Sequence, residues 1–142
     1  MRSLLDVNVL IALLDADHAL HSVAMHWFSA HSSEGWASCP ITQNGCVRVM
    51  AGAGYSNPLP VSAIVERLAE ATAQKLHEFW PDEVSLLDAS VVDASRVHGP
   101  RQVTDLYLLA LAASRGGRLV TFDRSVPIEA VSRAQARNLL VI

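Results

Sequence analysis

Three aspartates stand where a carboxylate could do chemistry. Asp6 interrupts the apolar run from Leu4 to Leu14, in which Asn8 is the only other polar residue. Asp123 follows Leu119-Val120-Thr121-Phe122, and Asp105 precedes Leu106-Tyr107-Leu108-Leu109-Ala110-Leu111-Ala112-Ala113. A carboxylate beside that much apolar surface is costly unless a hydrogen-bond donor, a cation or a metal offsets its desolvation. In parallel α/β sheets, ligands bind beyond the carboxyl ends of the strands, where helix starts also point. Two acids at strand ends and one at a helix start can therefore share a crevice. Three carboxylates in a small crevice repel one another at neutral pH. A divalent cation relieves that repulsion, and hard oxygen ligands with room for water suit Mg²⁺ or Mn²⁺. Such an ion can activate a water and stabilise the charge of a phosphodiester under attack. Each acid also has a plainer reading: Asp6 or Asp105 as a helix cap, Asp123 as a turn residue.

The elements that must position these acids alternate between strand and helix. Leu4-Leu5-Asp6 reads as a buried strand ending on its acid, with Asn8 capping a short helix from Val9 to Leu14. Asp17 can cap a helix over residues 18–31. A short strand over 35–39 leads to Pro40, which suits the first turn of a helix over 41–51, whose polar residues are Thr42, Gln43, Asn44 and Arg48. The Gly/Pro-rich loop 52–60 follows. Ser62 can cap an amphipathic helix over 63–75, with Ile64, Val65, Leu68 and Ala69 facing inward. Residues 79–81 and 84–87 read as extended, and Asp88 as the cap of a short helix through about Val97. Thr104 or Asp105 opens a helix apolar nearly all round, and therefore buried, which Gly116-Gly117 ends. Arg118 to Phe122 and Asn138 to Ile142 read as strands. This alternation predicts one domain over residues 1–142, a three-layer α/β/α fold with a mostly parallel central sheet.

Composition excludes several alternatives. The chain has 142 residues, a hydrophobic fraction of 51% and a formal net charge of −3, so it carries no global basic footprint of a nucleic-acid binder. Cys39 and Cys46 read as small buried hydrophobes of a reducing compartment rather than a disulfide framework. No signal peptide is evident and no run approaches a membrane span, so a cytoplasmic protein with no membrane partner is expected. His18, His21, His26 and His31 fail as a zinc site, because His21 and His26 lie about 140° apart around a helix. No glycine-rich turn follows the first strand, as a P-loop or dinucleotide site would need. A receiver domain would want an acidic pair near the first strand and a late lysine, and the last lysine here is Lys75. A dehalogenase-like phosphatase would want an acid at Asn8.

Four blocks in order carry a resemblance: Leu5-Asp6-Val7-Asn8-Val9-Leu10-Ile11, Thr42-Gln43-Asn44-Gly45-Cys46-Val47-Arg48-Val49, Val103 to Ala112, and Leu119-Val120-Thr121-Phe122-Asp123. Together they resemble the signature blocks of PIN-domain ribonucleases, in particular the VapC toxins of toxin–antitoxin pairs. The resemblance implies a Mg²⁺- or Mn²⁺-dependent endoribonuclease acting on structured RNA such as tRNA or rRNA. It implies that Asp6, Asp105 and Asp123 bind the metal and position a water for in-line attack, leaving a 5′-phosphate and a 3′-hydroxyl. It also implies a homodimer and a cognate VapB-type antitoxin whose tail covers the crevice. Asn8, Thr104 and Thr121 are the expected supports of the acids, and Arg124, Arg48 and Arg101 the candidate phosphate contacts. The sequence departs from the family at Gln43, where a glutamate is usual. An amide can still offer its carbonyl oxygen to a metal, but it cannot act as a base. Two readings follow: an active nuclease with weaker metal binding, or a PIN scaffold that binds RNA or antitoxin without efficient cleavage.

Overall fold

The computed structural model describes residues 1–142. Its centre is β1 (Ser3–Leu5), a strand so apolar that Leu4 and Leu5 have no solvent exposure at all. It is flanked by β2 (Trp36–Ser38) and β4 (Arg118–Thr121), with β3 (His77–Phe79) and β5 (Leu139–Val141) outside them. The order is β3-β2-β1-β4-β5 and every pairing is parallel, with Ser3 opposite Trp36 and Leu5 opposite Val120. The chain builds outward from β1 first on one side and then on the other. The gap between β1 and β4 is therefore the switch point where a crevice opens in such sheets.

The helices are α1 (Val7–Leu14), α2 (His21–His31), α3 (Pro40–Met50), α4 (Val61–Thr72) and α5 (Val103–Ser114). Alternation along the strands divides the core in two. Leu4, Ala37 and Leu119 pack with Leu108, Leu111 and Trp80 on the α5 side. Leu5, Trp36 and Val120 pack with Val9, Trp27, Met50 and Ile64 on the side of α1 to α4. Each such leucine contributes roughly 1.5–3 kcal/mol by burial. Helix α5 runs under the sheet with Leu106 through Ala112 all buried, as its all-round apolar sequence predicts. It stops at Gly116, whose φ of +66° is the left-handed conformation that ends a helix. Gly45 lets α3 cross α1 closely, since a Cβ there would lie 2.7 Å from Val7 Cγ2.

Several local expectations are corrected. Helix α1 starts at Val7, not Val9, and its cap is Asp6, whose carboxylate accepts from the Val7 N–H. Asn8 is inside the helix. Helix α2 starts at His21 with no side-chain cap, and the Asp17 N–H instead donates to Asp15 Oδ1 in a turn. Helix α4 starts at Val61 after Pro60, so Ser62 is not its cap, and Val65 and Ala69 face solvent. Residues 84–87 join no strand, and the paired segment is His77–Phe79. No α-helix follows Asp88. Its Oδ1 accepts from both the N–H and the hydroxyl of Ser90, which favours a turn over a helix.

Candidate active site

The acids are set in place by the ends of the two central strands. Asp6 continues β1 by one residue in extended conformation, and its N–H donates to the Val120 carbonyl across the ladder. Extending the alternation of Leu4 aims its side chain towards α5, and the residue is only 4% exposed. One oxygen accepts from Val7 N at 2.7 Å and the other from Thr121 Oγ1 at 2.6 Å. Thr121, fully buried at the end of β4, is the hub of the site. Its hydroxyl donates to Asp6 and accepts from Asn8 Nδ2 at 3.2 Å and from the Asp123 N–H at 3.0 Å. The Asn8 carbonyl oxygen takes the Phe122 N–H at 3.4 Å. Asn8 therefore tethers α1 to the end of β4 instead of capping the helix.

Asp123 lies in a tight turn, its Oδ1 accepting from both the N–H and the hydroxyl of Ser125 at 2.7 Å. Those donors hold its carboxyl below the usual range. Asp105 occupies the first turn of α5, where the helix dipole favours an anion. Burial and the neighbouring Asp6 and Asp123 outweigh the dipole and push its carboxyl up to about 7. Burial also raises Asp6, against the opposing effect of the Thr121 and Val7 donors. The three carboxyls thus act on one another, with no cation paired to any of them.

The donor set suits a hard divalent cation. Burial and the neighbouring Asp6 and Asp123 push Asp105 up to about 7, and a cation would offset the negative charge that disfavours its ionisation. The acids do not form a closed cage, since no group of three His, Cys, Asp or Glu side chains is arranged to hold an ion.

The other sequence-derived residues divide. Gln43 makes its side-chain hydrogen bond to Ser38 rather than to any of the three acids. Its Nε2 donates to Ser38 Oγ at 2.9 Å, and Ser38 Oγ meets His77 Nε2 at 2.8 Å. Ser38 alternates with Trp36, so this chain lies on the sheet face of α1 to α4, away from α5. Gln43 also lines a groove of about 300 Å³ between α3 and α4 with Val47, Val65, Leu68 and Thr72. Thr104 is exposed and makes no side-chain hydrogen bond that would support Asp105. Arg101, Arg124 and Arg48 are exposed and belong to no ion pair. Arg101 lies in the turn just before α5, which carries Asp105, and Arg124 follows Asp123 directly. Sequence reasoning missed Ser125, although the spacing Asp-x-Ser recurs at Asp88 and Asp93 with the same turn. It also missed Gln102, which bridges the loops on either side of the crevice and has no local signature.

Comparison with known proteins agrees with this layout. The PIN domain family model matches residues 3–133. Ribonuclease VapC44 of Mycobacterium tuberculosis is 51% identical over 142 residues, covering all of both chains. Ribonuclease VapC39 of the same organism is 46% identical over 127 residues, covering 89% of this chain and 91% of the relative. The crystal structure of VapBC2 from Rickettsia felis, bound to a DNA fragment from its promoter, shares the fold. It has a TM-score of 0.62 and 12% identity, and the match covers 100% of this chain and 99% of that one. A five-stranded parallel sheet with acids at its carboxyl edge and full-length likeness to named VapC ribonucleases lead to one assignment: the chain belongs to the PIN-domain family, among the VapC-type ribonucleases.

Proposed function

We propose that this chain is the endoribonuclease toxin of a toxin–antitoxin pair, dependent on Mg²⁺ or Mn²⁺ and acting on structured RNA such as tRNA or rRNA. The observation that carries the reading is the clustering of Asp6, Asp105 and Asp123 at the carboxyl edge: Thr121 donates to Asp6 and takes the Asp123 N–H, and burial first, then the neighbouring Asp6 and Asp123, push the Asp105 carboxyl up to about 7. A divalent cation bound by these acids supplies Lewis-acid charge for phosphodiester hydrolysis. The protein's own groups do the rest. Thr121 fixes the Asp6 carboxylate by donating to Oδ2, and Ser125 fixes that of Asp123 by donating to Oδ1. Asp105, whose carboxyl burial and the neighbouring acids push up to about 7 in the metal-free chain, would give up its proton on binding the cation. Arg101 and Arg124 flank the crevice as cations free to meet phosphate; Arg48 is a more distant contact on α3.

Gln43 bears on the alternative of a scaffold that binds without cutting. Its engagement by Ser38 supports a site built from three acids, to which position 43 adds no ligand. The likeness to VapC ribonucleases supports a cognate VapB-type antitoxin as partner; the assembly proposed with it is a homodimer. No helix is long and apolar enough to cross a membrane, which fits action in the cytoplasm by residues 1–142 as one domain.

The test is RNA cleavage by purified protein with Mg²⁺, with Mn²⁺ and with EDTA, beside Asp6→Asn. Cleavage that needs metal and is lost in the variant is expected. No cleavage with either metal, or equal cleavage by Asp6→Asn, overturns the reading.

A further inference from the structure

One side chain joins the loop before α5 to the loop after β4. Gln102 ends the 3₁₀ turn Pro100–Gln102 and is half-buried. Its Oε1 accepts from the His98 N–H at 3.0 Å, and its Nε2 donates to the Ser125 carbonyl at 3.1 Å. The orientation of the amide follows from its partners, because turning it over would set donor against donor and acceptor against acceptor. Ser125 in turn gives its N–H and its hydroxyl to Asp123 Oδ1. Asp105 lies three residues beyond Gln102, one turn along the same chain direction. Gln102 is thus close in sequence to one acid and hydrogen-bonded to the residue that holds the other.

We propose that Gln102 is a positioning residue: it sets the separation of Asp105 and Asp123, and through it the affinity of the pair for a divalent cation. The proposal rests on the reading of these acids as a cation site. The residue type fits the task. An asparagine is one methylene shorter and cannot span both backbones. A glutamate keeps the bond from the His98 N–H but sets an oxygen against the Ser125 carbonyl. A methionine keeps the length and makes neither bond. A protonated Asp105 shares a hydrogen bond with Asp123, but the two carboxyls repel once both are ionised, as cation binding requires, and Arg101 and Arg124 reach solvent without a partner. A polar clamp between the loops opposes that repulsion before any ligand arrives, which is the work of outer groups around metal sites generally.

The experiment uses the full chain and Mn²⁺ alone as the probe, with free Mn²⁺ followed by electron paramagnetic resonance. Wild type, Gln102→Met and Asp105→Asn are compared, with thermal melts to show that each is folded. Binding by Gln102→Met is expected to be about tenfold weaker than by wild type, with Asp105→Asn weaker still. Hydrogen–deuterium exchange without metal is expected to quicken at His98 and across residues 123–126 in Gln102→Met. Cleavage of total tRNA by this variant should recover as Mn²⁺ is raised, which a merely structural lesion would not do. If Gln102→Met does not fold, Gln102→Asn replaces it, with the same expected direction. Equal Mn²⁺ affinity in wild type and the folded variant overturns the role of Gln102. A wild type that binds no Mn²⁺ overturns the cation reading on which it stands.

Discussion

At the amino edge of the sheet Arg2, Arg115 and Arg118 each meet a glutamate, whereas at the carboxyl edge three aspartates meet one another. Arg2 pairs with Glu78 at 2.9 Å and also donates to the Leu76 carbonyl at 2.7 Å. Arg115 grips Glu83, with Nη2 to Oε2 at 2.9 Å, and Glu34 receives both the amino terminus and Arg118. These groups lie on a partly exposed surface, so each pair contributes little, and their joint effect is to tie the starts of β1, β2, β3 and β4 together. The carboxyl edge is arranged the other way: its acids share no cation, and its arginines are left free. Charge matched within the chain serves the fold. Charge left unmatched costs stability and is retained where a ligand is to supply the missing sign.

A second contrast separates turn chemistry from site chemistry. Asp88, Asp93 and Asp123 each accept from a serine two residues on, and in each that serine is the main cause of a lowered carboxyl pKa. Only Asp123 also faces Asp105. The local motif makes a turn three times, and only its position beside β1 brings one of the three to the candidate site.

The contrast between the edges can be broken first at its strongest point. Asp105→Asn should lower metal-dependent RNA cleavage by about 100-fold or more. The same change should raise the melting temperature of the metal-free protein near pH 7.5 by a few degrees, since it removes a repelled charge. Cleavage assays and calorimetry on one preparation check both signs; a variant both inactive and less stable would break the contrast.

Thr121→Val leaves Asp6, Asn8 and the Asp123 N–H without their shared hydroxyl. The expected cost is about 1–3 kcal/mol in urea denaturation, together with weaker Mn²⁺ binding. At the opposite edge, Arg2→Ala should cost about 1–2 kcal/mol and leave metal-dependent cleavage per folded molecule unchanged. Equal loss of activity from Arg2→Ala would mean that the two edges are not separable.

The pH dependence sharpens the same point. In the fold Asp105 keeps its proton up to about 7, against a usual 3.8. Between those values the folded chain binds more protons than the unfolded one, so metal-free stability should fall as pH rises through that window. Denaturation at pH 5 and pH 7.5 checks the sign; Asp105→Asn should flatten the slope, and Mn²⁺ should restore stability at the higher pH. The smallest effect is expected at Gln43. Gln43→Glu removes the donor to Ser38 and should cost about 1 kcal/mol of stability, with Mn²⁺ affinity unchanged. A large gain in affinity would instead return position 43 to the metal site.

Much of the frame was legible in the sequence because it depends on local patterns. Apolar runs of strand length, each closed by an acid, marked β1 and β4. The all-round apolar stretch after Asp105 marked the buried helix, and glycine marked its end. The misplaced features were caps and turns, where one hydrogen bond decides between neighbouring starts, as with Asp6 over Asn8 and with Asp88 and Ser90.

The sequence by itself therefore determined the layered α/β frame and the parallel sheet, and it singled out three acids as candidates. Burial and periodicity are properties of contiguous residues. Tertiary structure alone decided which groups answer those acids. Thr121 reaches Asp6 across 115 positions of chain, Gln102 reaches Ser125 across 23, and Gln43 donates to Ser38 on the neighbouring strand end. The direction of a side chain, and the partner that satisfies its donor or acceptor, depend on which strands lie side by side and which face each residue takes. Neither is set until the sheet has formed.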